Sequence, residues 1–145
     1  MNKYKFNAGL YYVGDPCYAI QNDKDWEYVC DQIGANNEAH FKFKGYNMWL
    51  HRTAWGDGSY LGSDGNLYAV DSGTIGVVRA DSIKDEPDFL GIYAFIVFDK
   101  PFEVWYNKGT FYINDIVIHT DETSTDEDEY DEEDSWEDEE EEDGE

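Results

Sequence analysis

Apolar and polar positions follow a strand-like pattern through most of the first 120 residues and break into a helical period once. Leu10-Tyr11-Tyr12-Val13 is a β-prone run stopped by the turn signal Gly14-Asp15-Pro16. Trp26, Val29, Cys30 and Ile33 then recur at i, i+3, i+4 and i+7. Asn22 or Asp23 can cap that helix, and Gly34 ends it. Its apolar stripe, Cys30 included, is expected to pack on a sheet.

From residue 39 onward the pattern is β. His40 to Lys44 alternates, and Tyr46 to Ala54 is rich in large apolar groups. The turns Gly56-Asp57-Gly58 and Gly62-Ser63-Asp64-Gly65-Asn66 set off Tyr60-Leu61 and Leu67 to Val70, two arms of a hairpin. Thr74 to Val78 is a further strand, and the continuous apolar run Ile92 to Phe98 suits a central strand buried on both faces. Phe102 to Tyr106 and Thr110 to His119 flank the hairpin signal Asn107-Lys108-Gly109. The elements define an α+β domain, predominantly antiparallel β, built as a sandwich or bent sheet with one short helix.

After Thr120 the composition changes abruptly. The chain of 145 residues holds 34 Asp and Glu against 10 Lys and Arg, a formal charge of −24. Residues 121–145 carry 18 of those acids and no base, which leaves 16 acids against all 10 bases, a net of −6, in residues 1–120. The two parts are therefore a β-rich globular domain, 1–120, and a polyanionic tail, 121–145, expected to be disordered because like charges repel and apolar groups are few. The overall charge argues against direct contact with duplex nucleic acid or anionic lipid. No apolar stretch is long enough to span a membrane, and the opening MNKYKFNAGLYY lacks a secretory signature, so a cytoplasmic protein with reduced Cys17 and Cys30 is expected.

The tail carries the strongest functional signal. At ~3.4 Å per residue its 25 positions extend over about 85 Å, so its charges fall roughly every 4.7 Å. A single nucleic-acid strand carries one per ~3.4 Å and a duplex one per ~1.7 Å. The tail thus resembles a single strand more than a duplex. Asp126, Glu127, Asp128, Glu129, Asp131, Glu132, Glu133, Asp134, Glu137, Asp138, Glu139 and Glu140 are the candidate partner-binding carboxylates, with Tyr130 and Trp136 placed to enter stacking pockets as bases do. Two acidic patches in the domain, Asp23, Asp25, Glu27 and Asp31 on the helix and Asp81, Asp85, Glu86 and Asp88 in a loop, read as solvated surface.

Chemistry in the domain has thinner support. Cys17, His51 and Asp71 supply a thiol, a base and an orienting acid, but Cys17 does not start the predicted helix, where its pKa would fall. Asp57, Asp64 and Asp71 recur every seven residues without the oxygen spacing of a calcium loop, and His40, His51 and His119 lack zinc spacing. Gly73-Thr74-Ile75-Gly76 lacks the lysine of a phosphate loop. The sequence calls for no metal and no cofactor.

Gly14-Asp15-Pro16-Cys17-Tyr18, then Trp26, then Gly56-Asp57-Gly58-Ser59-Tyr60, then Val70-Asp71-Ser72-Gly73-Thr74-Ile75-Gly76 together form one string. It resembles the GDPCY…GDGxY…VDSGxIG pattern of uncharacterised small bacteriophage and bacterial proteins, over roughly residues 10–78. The resemblance implies a phage accessory protein, a setting in which acidic polynucleotide mimics block restriction and other host defences. The expectation is a non-enzymatic inhibitor of a basic, nucleic-acid-binding host protein, with Tyr18 and Tyr60 as head contacts and no direct nucleic-acid or membrane partner. The alternatives are a small hydrolase using Cys17, His51 and Asp71, and a replication accessory protein whose tail recruits partners. The latter needs a basic, aromatic strand surface on the domain.

Overall fold

The computed structural model describes residues 2–86, 89 and 95–121. Eleven strands and two short α-helices occur among them. A four-stranded antiparallel sheet has the order β1-β9-β10-β11, from β1 (Lys3–Phe6), β9 (Phe102–Asn107), β10 (Thr110–Ile113) and β11 (Ile116–His119). A five-stranded antiparallel sheet has the order β3-β4-β7-β2-β8, from β3 (Glu38–Phe43), β4 (Tyr46–Arg52), β7 (Thr74–Arg79), β2 (Gly9–Gly14) and β8 (Phe95–Phe98). The hairpin of β5 (Gly58–Leu61) and β6 (Leu67–Val70) is a third, two-stranded sheet.

Alternation along the strands of the five-stranded sheet feeds two cores. Tyr11, Val13, Trp49, Ile75 and Val77 point toward the four-stranded sheet and meet Val104, Phe111, Ile113 and Ile118, with Tyr60, Tyr68 and Val70 of the hairpin sealing one end. Tyr12, Met48, Leu50 and Val78 point the other way, onto Val29 and Ile33 of helix α2 (Asp23–Ile33). The middle sheet is therefore covered on both faces. Each large side chain so buried contributes about 1.5–3 kcal/mol of transfer free energy.

Helix α2 forms where its period predicts. The Asn22 side chain accepts from the Lys24 and Asp25 amides, and Gly34 closes the other end at φ +53°. Cys30 is an exception to the stripe, because it is exposed.

Several expectations change. A second helix, α1 (Pro16–Ala19), follows β2 at the Gly14-Asp15-Pro16 turn signal. β1 was not anticipated. The 110–119 segment is two strands, folded back at Asn114, which takes φ +56°. The run 92–98 supplies an edge strand instead of a central one: among the described residues β8 pairs only with β2, and Val97 is 72% exposed. Its residues 92–94 lie outside the described residues. Glu86 is buried, its carboxylate accepting from the Gln21 and Asn22 amides at 2.6 and 2.8 Å. Asp25 pairs with Lys44 at 2.9 Å, so neither acid is free surface charge. Asp88 lies outside the described residues.

Candidate functional site

Two of the three recurring motifs meet at Asp15. Its carboxylate is wholly buried, yet all its acceptor capacity is used. Oδ1 accepts from the Cys17 amide at 2.9 Å and the Ser72 hydroxyl at 2.6 Å, while Oδ2 accepts from the Asp71 and Ser72 amides, each at 2.6 Å. One side chain thus caps α1 and fastens the loop between β6 and β7. The Tyr12 hydroxyl donates to the Asp15 carbonyl at 2.7 Å, and Ser72 Oγ also lies 2.7 Å from Thr74 Oγ1. Gly76 completes the junction: a methyl there would sit 2.6 Å from the Trp49 carbonyl oxygen and 3.2 Å from Pro16 Cγ, so only glycine lets α1 lie on the sheet.

Around this junction the candidate contact residues separate. Tyr18 is 39% exposed and donates its hydroxyl to Asp71 Oδ2, a bond that pushes the phenol pKa up, helped by partial burial. Tyr60 is fully buried and donates to the Gly56 carbonyl at 2.5 Å, so it is core and not an exposed contact. The GDGSY turn is closed by Thr53, whose hydroxyl donates to the Gly56 carbonyl and whose Oγ1 accepts from the Gly56 amide.

The thiol, imidazole and acid are divided between the two faces of the middle sheet. Cys17 does not start α2, as expected; it sits in the first turn of α1, a helix only four residues long. Burial, then the charge of Asp15 and its hydrogen bond, then Asp71, push its thiol pKa up to about 12. α1 leads into Ala19 and Ile20, which belong to the α2-side core. His51 is on the opposite face, stacked on Tyr106 with ring centres 3.5 Å apart, and its Nδ1 lies 2.7 Å from the Arg52 carbonyl. Burial lowers its pKa. Asp71 faces Tyr18 and the Cys17 side, so the structure brings Asp71 and Cys17 together and leaves His51 elsewhere.

The acids of the heptad spacing are also dispersed. Asp64 accepts from Tyr68 Oη at 2.6 Å and from Asn66 Nδ2 at 3.0 Å, a local turn brace, while Asp71 serves Tyr18. Among the described residues no three His, Cys, Asp or Glu side chains gather as metal ligands. No helix among them is long and apolar enough to cross a membrane. A cleft of about 140 Å³ opens between α2 and the sheet, with Trp26, Val29 and Leu50 lining it beside Cys30, Arg52 and Thr74. Arg52 is engaged there by donating to the Gly34 and Asn36 carbonyls at the C-terminal end of α2.

The outer face of the four-stranded sheet has a different character. Register places Lys3 opposite Trp105, and Trp105 opposite Tyr112. The two rings stack at 5.0 Å and 12°, and the Lys3 ammonium lies 4.6 Å from the centre of the Trp105 ring. Lys5, opposite Glu103, continues the basic edge. The sequence reading missed this surface because it depends on β1 and on a pairing between residues about a hundred positions apart. The alternation Lys-Tyr-Lys-Phe at 3–6 was the available signal.

The polyanion departs from a pinned point. Thr120 is fully buried, donates from its amide and its hydroxyl to the Gly109 carbonyl, and accepts from the Ala54 and Trp55 amides. The candidate residues Asp126 to Glu140, with Tyr130 and Trp136, lie outside the described residues. No known protein family, curated protein or solved structure matches the chain.

Proposed function

We propose that this is a phage-type, non-enzymatic interaction protein, which inhibits a basic nucleic-acid-binding host protein by occupying its nucleic-acid groove with the acidic segment 121–145. The observation that carries this reading is the concentration of 18 acids and no base in 25 residues, joined to a folded head at Thr120. Carboxylates spaced like the phosphates of a stretched strand give many weak contacts to Lys and Arg and a fast, salt-sensitive encounter. Tyr130 and Trp136 fill pockets meant for bases. The head supplies selectivity, since charge alone discriminates poorly among basic proteins, and exposed Tyr18 is a contact available to it.

The arrangement of Cys17 and His51 supports this reading over thiol hydrolysis, because a nucleophile and its base must share a hydrogen bond or come close to one. The test immobilises the full chain beside a variant in which the acids of 126–140 are replaced by Asn and Gln. Basic nucleic-acid-binding proteins from host extract are retained by the first, released by moderate salt, and lost from the second. Equal capture by the two chains refutes the proposal.

A further inference from the structure

We infer that the outer face of the four-stranded sheet is a binding site for single-stranded nucleic acid, with Trp105 and Tyr112 taking bases and Lys3 and Lys5 taking phosphates. The inference concerns the folded head, stands independently of the role given to the acidic segment, and departs from the expectation of no direct nucleic-acid partner.

Three observations converge. First, the row Lys3, Trp105, Tyr112 crosses three adjacent strands on one face, while the alternate residues Tyr4, Val104 and Phe111 turn inward to the core. Second, the rings of Trp105 and Tyr112 are parallel, neighbouring and only partly buried, which makes them a stacking platform for unpaired bases. Third, the charge is complementary. In a chain with 34 acids and 10 bases, this face presents Lys3 and Lys5 on the edge strand against Glu103. Lys3 and Lys5 are two residues apart in a strand and so ~6.8 Å apart, about two nucleotide rises.

The form of the ligand follows from the same features. Bases must be splayed onto the rings, which a duplex does not permit, and a duplex is also repelled more strongly by the chain's net charge. An acidic peptide would satisfy the lysines but leave the ring pair unused. Lys3 now covers one face of Trp105, and a base takes that place as the ammonium shifts to the flanking phosphate.

The test titrates the full-length protein into fluorescein-labelled oligothymidylate of about 15 nucleotides at low ionic strength and follows anisotropy. Saturable binding that weakens with salt is expected. Trp105→Ala weakens it by about fivefold or more, the effect of losing one stacked base, and Lys3→Glu, an exposed change that leaves the core untouched, weakens it comparably. Trp55→Ala, at a tryptophan 57% exposed in a separate loop, leaves it unchanged. Absence of binding by the full chain overturns the inference, including the case where its own acidic segment or a second copy covers the face. Binding indifferent to both Trp105→Ala and Lys3→Glu overturns it as well.

Discussion

Asp15 and Ser72, 57 positions apart, are joined twice: the Ser72 hydroxyl donates to Oδ1 and the Ser72 amide to Oδ2, each at 2.6 Å. With the Cys17 and Asp71 amides on the same carboxylate, this buried knot holds the end of β2, helix α1 and the start of β7 as one unit. The GDPCY and VDSG motifs are thereby explained by architecture. They position the polypeptide, and they leave Tyr18 at the surface above them.

Asp15→Ala removes the shared acceptor of four hydrogen bonds, from the Cys17, Asp71 and Ser72 amides and the Ser72 hydroxyl. Urea denaturation should show a loss of roughly 3 kcal/mol, with Asp15→Asn intermediate because it keeps one oxygen. A loss below about 0.5 kcal/mol, the scale of an ordinary surface substitution, would mean that the knot is not structural.

The raised Cys17 thiol predicts low reactivity. At pH 8 iodoacetamide should alkylate Cys17 at least about tenfold more slowly than free cysteine, since the thiolate is the nucleophile and a pKa near 12 leaves little of it. Peptide mapping separates Cys17 from exposed Cys30, which should react first. A Cys17 rate above that of free cysteine would restore the thiol-hydrolase reading.

His51 predicts a pH dependence of known sign. Burial lowers its folded pKa below the unfolded value of about 6.5, so between the two values the unfolded chain binds the proton and the folded chain does not. Its contribution is fully present above pH 6.5 and is lost as pH falls through that window. Stability measured between pH 7 and 5 should fall less steeply in His51→Phe, which keeps the stack on Tyr106, than in the parent chain. Burial depresses His40 in the same direction, so some slope remains in the variant. An unchanged slope would show that His51 titrates alike in both states.

Much of this fold was legible in local signals. Asn22, the Trp26–Ile33 period and Gly34 marked α2, and the glycine turns marked the β5–β6 and β9–β10 hairpins. What escaped is what only tertiary structure decides. β1 alternates lysine with aromatics and gains its identity from pairing with β9. α1 is four residues held by the Asp15 cap and Pro16. Phe95–Phe98 is as apolar as a central strand but lies on an edge. The contact residues divided for the same reason: the aromatic content of the GDPCY and GDGSY turns is alike, yet the hairpin folds Tyr60 inward and α1 turns Tyr18 out. The basic, aromatic row on the four-stranded sheet follows from register, which composition averages away. The acidic segment, in contrast, is announced by composition alone.

Competition for the nucleic-acid groove is measured directly on a captured host partner. The partner's apparent affinity for its own nucleic acid is followed by anisotropy as the full-length protein is added. The apparent Kd should rise in proportion to protein concentration, added salt should weaken the inhibition steeply, and replacing the acids of 126–140 by Asn and Gln should abolish it. A partner that holds its nucleic acid and this protein together, with its Kd unchanged, would contradict competition.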